Sequence, residues 1–385
     1  MNEYSDDMIL VAGLAPVTSL GLGMNDVANA MAARTMMSES EEAGGQESQA
    51  AGVIPEFDLQ DLIDSRKPYL DPHSKSALAA AALTFDSASI VWDEIDRSRV
   101  GLSYATMLGN QDTMAMFQNM VNEKGMRLAS PVLFGHTYPN TTSSLVSIEY
   151  GLRGYNQNFC GGPLCGAQAL ESALFALRQH RADMMLSGGG DVVGLEALGL
   201  DMDESSDEPM PAQGVGLMLL ETRESAELRE GFAFCELASV VCGAGSAAGP
   251  GEDLAESLET VVRQAMERAG IWEGDVGVVF ACRAPAQMPA ARKAEDAVLS
   301  GFAEVPTVSA KDHMGETHGA SFPLEVIAAA DVLNSGIMPP RLSFSNRRKG
   351  VEFWVEEQPE PLMGHAALIL GCTDDCVAAC VLRGL

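Results

Sequence analysis

Aromatic residues make up only 6% of this 385-residue chain. Its interior must therefore be built largely from small and flexible side chains in closely approaching helices and strands, and glycine (38) and methionine (21) are abundant. Basic residues are few as well: 24 Lys and Arg stand against 54 Asp and Glu, a formal net charge of −30. That field repels polyanions and anionic bilayers, which removes nucleic-acid and membrane-surface binding from the main functions. Only six residues are lysine, at 67, 75, 124, 293, 311 and 349. A lysine-poor acidic surface fits a salty cytoplasm and fits plain solubility equally well. No apolar run approaches the length needed to span a bilayer. The opening MNEYSDDMILVAGL is acidic where a secretory leader is basic, so a cytoplasmic location is expected. Paired CxxC spacing is missing too. The eight cysteines, at 160, 165, 235, 242, 282, 372, 376 and 380, are scattered through apolar surroundings. They read as buried free thiols and not as a disulfide framework. The spacing of Cys372, Cys376 and Cys380 belongs to a buried strand and not to a zinc site, and no metal or cofactor is expected.

The 46% hydrophobic and 20% charged fractions are those of a chain that can bury a sizeable core. Apolar runs bounded by glycine alternate with amphipathic segments. Strands are expected at Met8 to Gly13, 99–106, 156–160 and in RADMMLSGGGDVV. Helices are expected over NDVANAMAART, 74–86, 112–124, TTSSLVSIEYGL and the stretch after GGPLCG. PVTSLGLG reads as a turn, and 37–57, polar and acidic, as a surface loop. GVGLMLLET and GFAFCELASVVC read as adjacent strands. Helices 252–269, 289–299 and 321–335, strands DVGVVFAC and PTVSA, and a hairpin over 366–383 complete the chain. Such alternation implies α/β layers with parallel central sheets. The two halves have similar content, which suggests a duplicated core divided as 1–235 and 236–385, with CGAGSAAGPGED the loosest connection.

Four segments, in this order and spacing, carry a resemblance. VAGLAPVTSLGLG looks like a first strand and turn. SPVLFGHTYPNTTSSLVSIEYGLRGYNQNF is similar to the approach to a nucleophile, and GAQALESALFALRQHRADMMLSGGGDVV to the helix and strand after it. VPTVSAKDHMGETHGASFPLEVIAAADVLNSGIMPP is similar to a lysine/histidine loop and its helix. Together they resemble the β-ketoacyl synthases of the thiolase superfamily over nearly the full length. The resemblance implies two duplicated α/β halves in a layered α-β-α-β-α architecture.

Active members of that family use a cysteine at a strand-to-helix turn, where the helix N-terminus lowers its pKa, and two histidines that stabilise an enolate. Counted from the glycine of GYN and anchored by Gly166, the cysteine position falls on Pro163. The first histidine position, eleven residues before Glu295 and five before Pro289, falls on Ala284. The second, five residues after Lys311 and just after Gly315, falls on Glu316. The glutamate of the family's GEG turn is Gln213 here, which removes the lysine's usual charge partner, and GCTDDC stands for the GFGGTN loop. Cys160 and Cys165 flank the empty nucleophile position, but both read as buried structural thiols. His313 and His318 read as loop and helix-start residues. Histidines 73, 136, 180 and 365 show no mutual spacing that points to a site.

Members without the nucleophile resemble chain-length factors, which pair with an active ketosynthase in type II polyketide assembly. The resemblance therefore implies a heterodimer with an active β-ketoacyl synthase, no activity alone, and acyl carrier protein engaged through the partner's basic surface. Leu108, Asp112, Met116 and Leu133 are the candidates for the side chains that end the acyl tunnel at the dimer interface. Met114, Met116, Phe117 and Met120 also read as the core stripe of an interface helix. Two other readings remain: altered chemistry, such as a decarboxylase or acyltransferase using Cys165 or Glu316, and an acyl-binding homodimer without a ketosynthase partner.

Overall fold

A computed structural model describes residues 8–32, 52–67, 69–194, 211–245, 254–285, 287–338 and 360–385. In chain order, the first half comprises β1 (Ile9–Thr18), β2 (Gly21–Leu22), α1 (Met24–Ala32), α2 (Pro72–Ser87), β3 (Val100–Thr106), α3 (Gln111–Lys124), α4 (Pro131–Gly135), α5 (Thr141–Tyr150), β4 (Asn156–Cys160), α6 (Cys165–Arg178), β5 (Met184–Asp191) and β6 (Gly214–Thr222). A short α7 (Arg223–Leu228) leads to the second half. This comprises β7 (Cys235–Ala244), α8 (Leu254–Ala269), β8 (Val276–Ala281), α9 (Pro289–Leu299), β9 (Thr307–Val308), α10 (Lys311–Met314), α11 (Ser321–Ser335), β10 (Ile337–Met338), β11 (Glu360–Pro361), β12 (Ala366–Cys372) and β13 (Cys376–Arg383).

The main strands run in the order β4-β3-β5-β6-β1-β7-β13-β12-β8-β9. Counted within its own half, each set of five has the order third, second, fourth, fifth, first. Each set also has the same sense: three parallel strands, then two antiparallel pairings. The sheets are thus mixed and not wholly parallel. The two sets meet at a single short pairing, Leu10 with Glu236 and Val11 with Cys235.

Three apolar cores follow from the two-residue period of the strands. On β6, Val215, Leu217 and Leu219 face an outer core under α2, while Met218 and Leu220 face the central one. On β12, Leu368 and Leu370 face the other outer core under α8 and α9, while Ala367 and Ile369 face the centre. The central core is filled by α6 and α11, which touch strands of both halves. These are the expected five layers. Asp71 starts α2 by accepting the Ser74 N–H at 2.8 Å, with Pro72 in the first turn.

Several expectations need correcting. The first strand continues through PVT to Thr18, paired with β6. Pro16 is tolerated because its carbonyl faces Gly23 N, at 2.7 Å, so its missing N–H also lies away from β6. GVGLMLLET and GFAFCELASVVC are not neighbours, since β1 lies between them. Of the loop read at 37–57, residues 37–51 lie outside the described residues. Gly52 is bridged to Ala212 and Ile54 is buried, because this segment closes over the start of β6. The connection at 246–253 is also outside the described residues. Among them, no helix is long and apolar enough to cross a membrane, and no group of three metal-ligating side chains occurs.

Gly188 joins β5 to β6 with φ +149°, and a Cβ there would stand 2.0 Å from the Gly216 carbonyl oxygen. The variant Gly188→Ala is therefore expected to lose roughly 3 kcal/mol of stability. Urea denaturation of the purified chain measures it, and an unchanged midpoint would contradict the close approach.

Candidate functional site

The site lies where the ends of β3 and β5 meet the first turn of α6 and the loops around 283 and 311–320. Close backbone approach makes it possible. A Cβ on Gly189 would sit 2.7 Å from the Gly319 carbonyl oxygen, and one on Gly166 would sit 2.4 Å from Pro323 Cδ. Asp191, 1% exposed at the end of β5, gathers the parts. Its carboxylate accepts from Thr106 Oγ1 at 2.5 Å, Leu108 N at 2.9 Å, Met107 N at 3.0 Å and Gly319 N at 2.8 Å. Four donors on one carboxylate fix the end of β3 to the loop before α11.

Pro163 is half-buried in the turn that opens α6 and offers neither a nucleophile nor an N–H. Leu164 beside it is buried in the central core and leans on Gly371, whose added Cβ would stand 2.7 Å from Leu164 Cδ2 and 3.4 Å from Cys282 Sγ. Ala284 is buried, and its N–H donates to Glu295 Oε2 at 2.8 Å. The other oxygen of Glu295 accepts from Cys372 N at 3.3 Å. This carboxylate therefore ties two backbones together.

Glu316, expected at the second histidine position, carries a charge into the site. Its Oε2 accepts from Lys311 Nζ at 2.5 Å, and its Oε1 from His318 N and Ser321 Oγ, both at 2.8 Å. Lys311, 4% exposed at its side chain, also reaches the Arg283 carbonyl at 3.3 Å. Burial works against both charges, yet each outweighs it for the other. Lys311 is held above the usual lysine range, and Glu316, helped also by His318, below the usual carboxylate range. The lysine expected to lack a partner thus has one, and Gln213 is engaged elsewhere, accepting from Ile54 N at 3.1 Å and donating to Val193 O at 2.9 Å. Glu325, wholly buried below, accepts from Ala310 N at 2.7 Å and Ser309 Oγ at 2.8 Å. Burial nevertheless pushes its pKa up to about 7.

The thiols near the nucleophile position divide. Cys165 is the first residue of α6, buried against Ala105 and Ala169, and burial, with Asp191 nearby, pushes it up to about 12. It is no thiolate at neutral pH. Cys160, read as buried, is exposed, because β4 is the outer edge of the sheet.

The description "Beta-ketoacyl synthase, N-terminal domain" matches residues 7–226. The chain belongs to the β-ketoacyl synthase family. It is 27% identical over 346 residues to the "Actinorhodin polyketide putative beta-ketoacyl synthase 2" of Streptomyces coelicolor, covering 83% of this chain and 84% of that one. It is 26% identical over 332 residues to the 3-oxoacyl-[acyl-carrier-protein] synthase 2 of Vibrio harveyi, covering 78% and 79%. The ishigamide ketosynthase/chain length factor superposes with a TM-score of 0.85 at 18% identity, covering 98% of this chain and 99% of that chain. A type II PKS acyl-carrier protein in complex with its ketosynthase bound to the hexaketide gives 0.82 at 20%, with the same coverage. These two structures establish the ketosynthase fold.

The remaining candidates in this ketosynthase scaffold lie along one region. Leu108 is half-buried at the end of β3, its N–H on Asp191, and Leu133 is buried on α4. Asp112, in the first turn of α3, accepts from Gly194 N at 2.7 Å, so its carboxylate braces the loop after β5. Met114 and Met116 are about half exposed and so are no core stripe of this chain. Contact between α3 and α4 is made instead by Phe117 and Phe134, 5.5 Å between ring centroids, with Tyr138 continuing the row at 5.4 Å.

Two outcomes follow from the buried charges. Removing one partner, as in Lys311→Met or Glu316→Gln, is expected to cost roughly 3–5 kcal/mol, and the double variant Lys311→Met/Glu316→Gln much less than their sum. Chemical denaturation of the four proteins checks this, and additive costs would contradict the pairing. For Glu325, the unfolded chain ionises from about 4.5 and the folded one near 7. The folded state therefore binds the extra proton in that window, and stability falls as pH rises through it, by roughly 3 kcal/mol. Between pH 4.5 and 7 the difference in unfolding free energy between wild type and Glu325→Gln should shift by that amount in favour of the variant. A pH-independent difference would contradict the assignment.

Proposed function

We propose that this chain is a non-catalytic, chain-length-factor-like subunit that pairs with an active β-ketoacyl synthase and shapes the acyl tunnel at their interface. What supports the reading is the reactive corner: by their spacing in the sequence, Pro163, Ala284 and Glu316 fall where the family's chemistry needs a thiol and two imidazoles, in a chain with the ketosynthase fold. Altered chemistry is disfavoured: Cys165 is buried and protonated, and Glu316 is spent on Lys311.

Support for a partner comes from the surface. Met114, Met116, Met126, Leu128, Val132 and Phe134 are all about half or more exposed, with Met126 at 71% and Leu128 at 70%. All six lie on α3, α4 and the turn between them, in a chain that is otherwise heavily acidic. Large apolar side chains exposed together on one excursion support an interaction site there. The edge strand β4 presents unpaired backbone groups, a template for a strand of a second chain. The neighbours' names supply the partner class: a ketosynthase with a chain length factor, and a ketosynthase with its carrier protein. An acidic carrier protein would be repelled by a −30 subunit, so the active partner would hold it.

In this arrangement the work of the subunit is steric. The acyl chain grows on the partner's cysteine and stops when it meets side chains of α3 and α4, with Leu108, Asp112, Met116 and Leu133 as the wall. Overlap at that wall costs more than a further condensation gains. Methionine makes the wall adaptable.

Co-expression with a cysteine-bearing β-ketoacyl synthase should give a one-to-one complex by native mass spectrometry. The double variant Met126→Glu/Leu128→Glu should weaken it by at least about 2 kcal/mol, a thirtyfold rise in Kd. In the active complex, Met116→Ala should lengthen the product. A chain that stays apart from every such synthase, forms only a pair with its own copy, or gains the mass of an acyl group from an acyl-thioester donor would overturn the reading.

A further inference from the structure

Residues 111–135 form an excursion with little core of its own. Thr113 is the only buried residue of α3, Leu133 the only one of α4, and the turn Met126–Leu128 has none. What holds this excursion lies at its base, in a buried polar cluster that the catalytic comparison does not explain. Asn110, 4% exposed, stands at the entry. Its Nδ2 donates to the carbonyl of His136, the residue at the exit, at 2.9 Å, and more weakly to Asp71 Oδ2 at 3.5 Å. With the amide so oriented, Oδ1 accepts from Thr142 Oγ1 at 3.3 Å and from His73 Nδ1 at 3.2 Å. His73 then carries its proton on Nδ1, and its Nε2 accepts from Tyr104 OH at 2.8 Å. One side chain thereby joins the two ends of the excursion to α2, to the start of α5 and to β3.

We propose that Asn110 is a positioning residue that clasps the base of the α3–α4 excursion and so sets where the end of the acyl tunnel stands. The proposal rests on the function assigned above, because the excursion carries Asp112, Met116 and Leu133. The clasp acts with two braces, Tyr69 OH to Thr113 Oγ1 at 3.0 Å and Asp112 Oδ2 to Gly194 N at 2.7 Å. Both brace only the first turn of α3. Asn110 hydrogen-bonds directly from entry to exit, through the His136 carbonyl, and the Tyr69 ring supports the exit by packing on His136, 5.0 Å between centroids. The exposed apolar face needs such a clasp, since Met114, Met116, Met126 and Leu128 are about half or more exposed among the described residues.

Amide hydrogen exchange of the full chain tests the clasp without any partner. In Asn110→Ala, peptides within 111–135 should exchange roughly tenfold faster, while those of β5, β6, β12 and β13 keep their rates. Asn110→Asp should be worse, because it loses the donor to His136 and sets a second carboxylate beside Asp71. Adding Asp71→Asn should recover part of the loss by returning a donor to that contact. In the active heterodimer, Asn110→Ala should broaden the distribution of product lengths while the complex still assembles. Unchanged exchange in 111–135, equal acceleration throughout the sheet, or an unaltered product distribution in an assembled complex would each overturn the proposal. Failure to find any ketosynthase partner would instead sink the function above, and the exchange of 111–135 would still decide the clasp.

Discussion

Lys311 and Glu316 hold opposite charges in a pocket that water barely reaches, and the loops around them take their places from that pair. An ammonium buried alone would cost several kcal/mol. The scaffold keeps the lysine, so the position five residues on must answer it. Glu316 does so with one carboxylate oxygen and spends the other on the His318 N–H and the Ser321 hydroxyl, which fixes the start of α11. Lys311 in turn holds the Arg283 carbonyl, next to Ala284. Without the Glu316 carboxylate the ammonium would lose its direct partner, because Gln213 carries no charge to replace it. On the proposed alignment, glutamine at 213 and glutamate at 316 make electrostatic sense together.

The fold is only partly legible in the sequence. Strand and helix positions are legible because apolar periodicity is strong in a chain that buries both faces of its sheets. Their alternation implies α/β layers, whereas the five-layered order comes from the family resemblance. The reach of β1 through Pro16 was not legible, since the tolerance of a proline depends on which side of the strand its missing donor faces. Nor was the order of strands, where β1 separates β6 from β7. At the site, spacing leads to Pro163 only as an expectation, and the partner of Lys311 is not legible at all, because pairing depends on the fold of the loop. Cys160 read as buried from its apolar neighbours, and its exposure comes only from β4 being an edge. The cluster around Asn110 was invisible for a related reason: Asp71, His73, Tyr104, Asn110, His136 and Thr142 come from five separate segments.

Polar satisfaction also marks which residues the frame cannot give up. Asp191 and Glu295 are carboxylates with almost no exposure, and both are occupied by backbone N–H groups. Replacing either would orphan several buried donors at once, each costing about 1–3 kcal/mol. The side chains of Pro163 and Ala284 have no such duty to the backbone. On the proposed reading, these are the positions where a thiol and an imidazole are dispensable to the fold.

That division separates the molecule into a rigid part and a permissive part. The rigid part is the five-layered core with its buried carboxylates, in which small residues such as Gly166, Gly189 and Gly319 let backbones touch and leave no room for enlargement. The permissive part is the α3–α4 excursion, where only Thr113 and Leu133 are buried and the outer face is methionine, leucine and phenylalanine. Side chains there can change size without disturbing a core, provided that Asn110 keeps the base closed. The proposed task of setting a length by bulk needs this combination: a wall that can be repacked one side chain at a time, standing on a frame that would not yield to an acyl chain pushing against it.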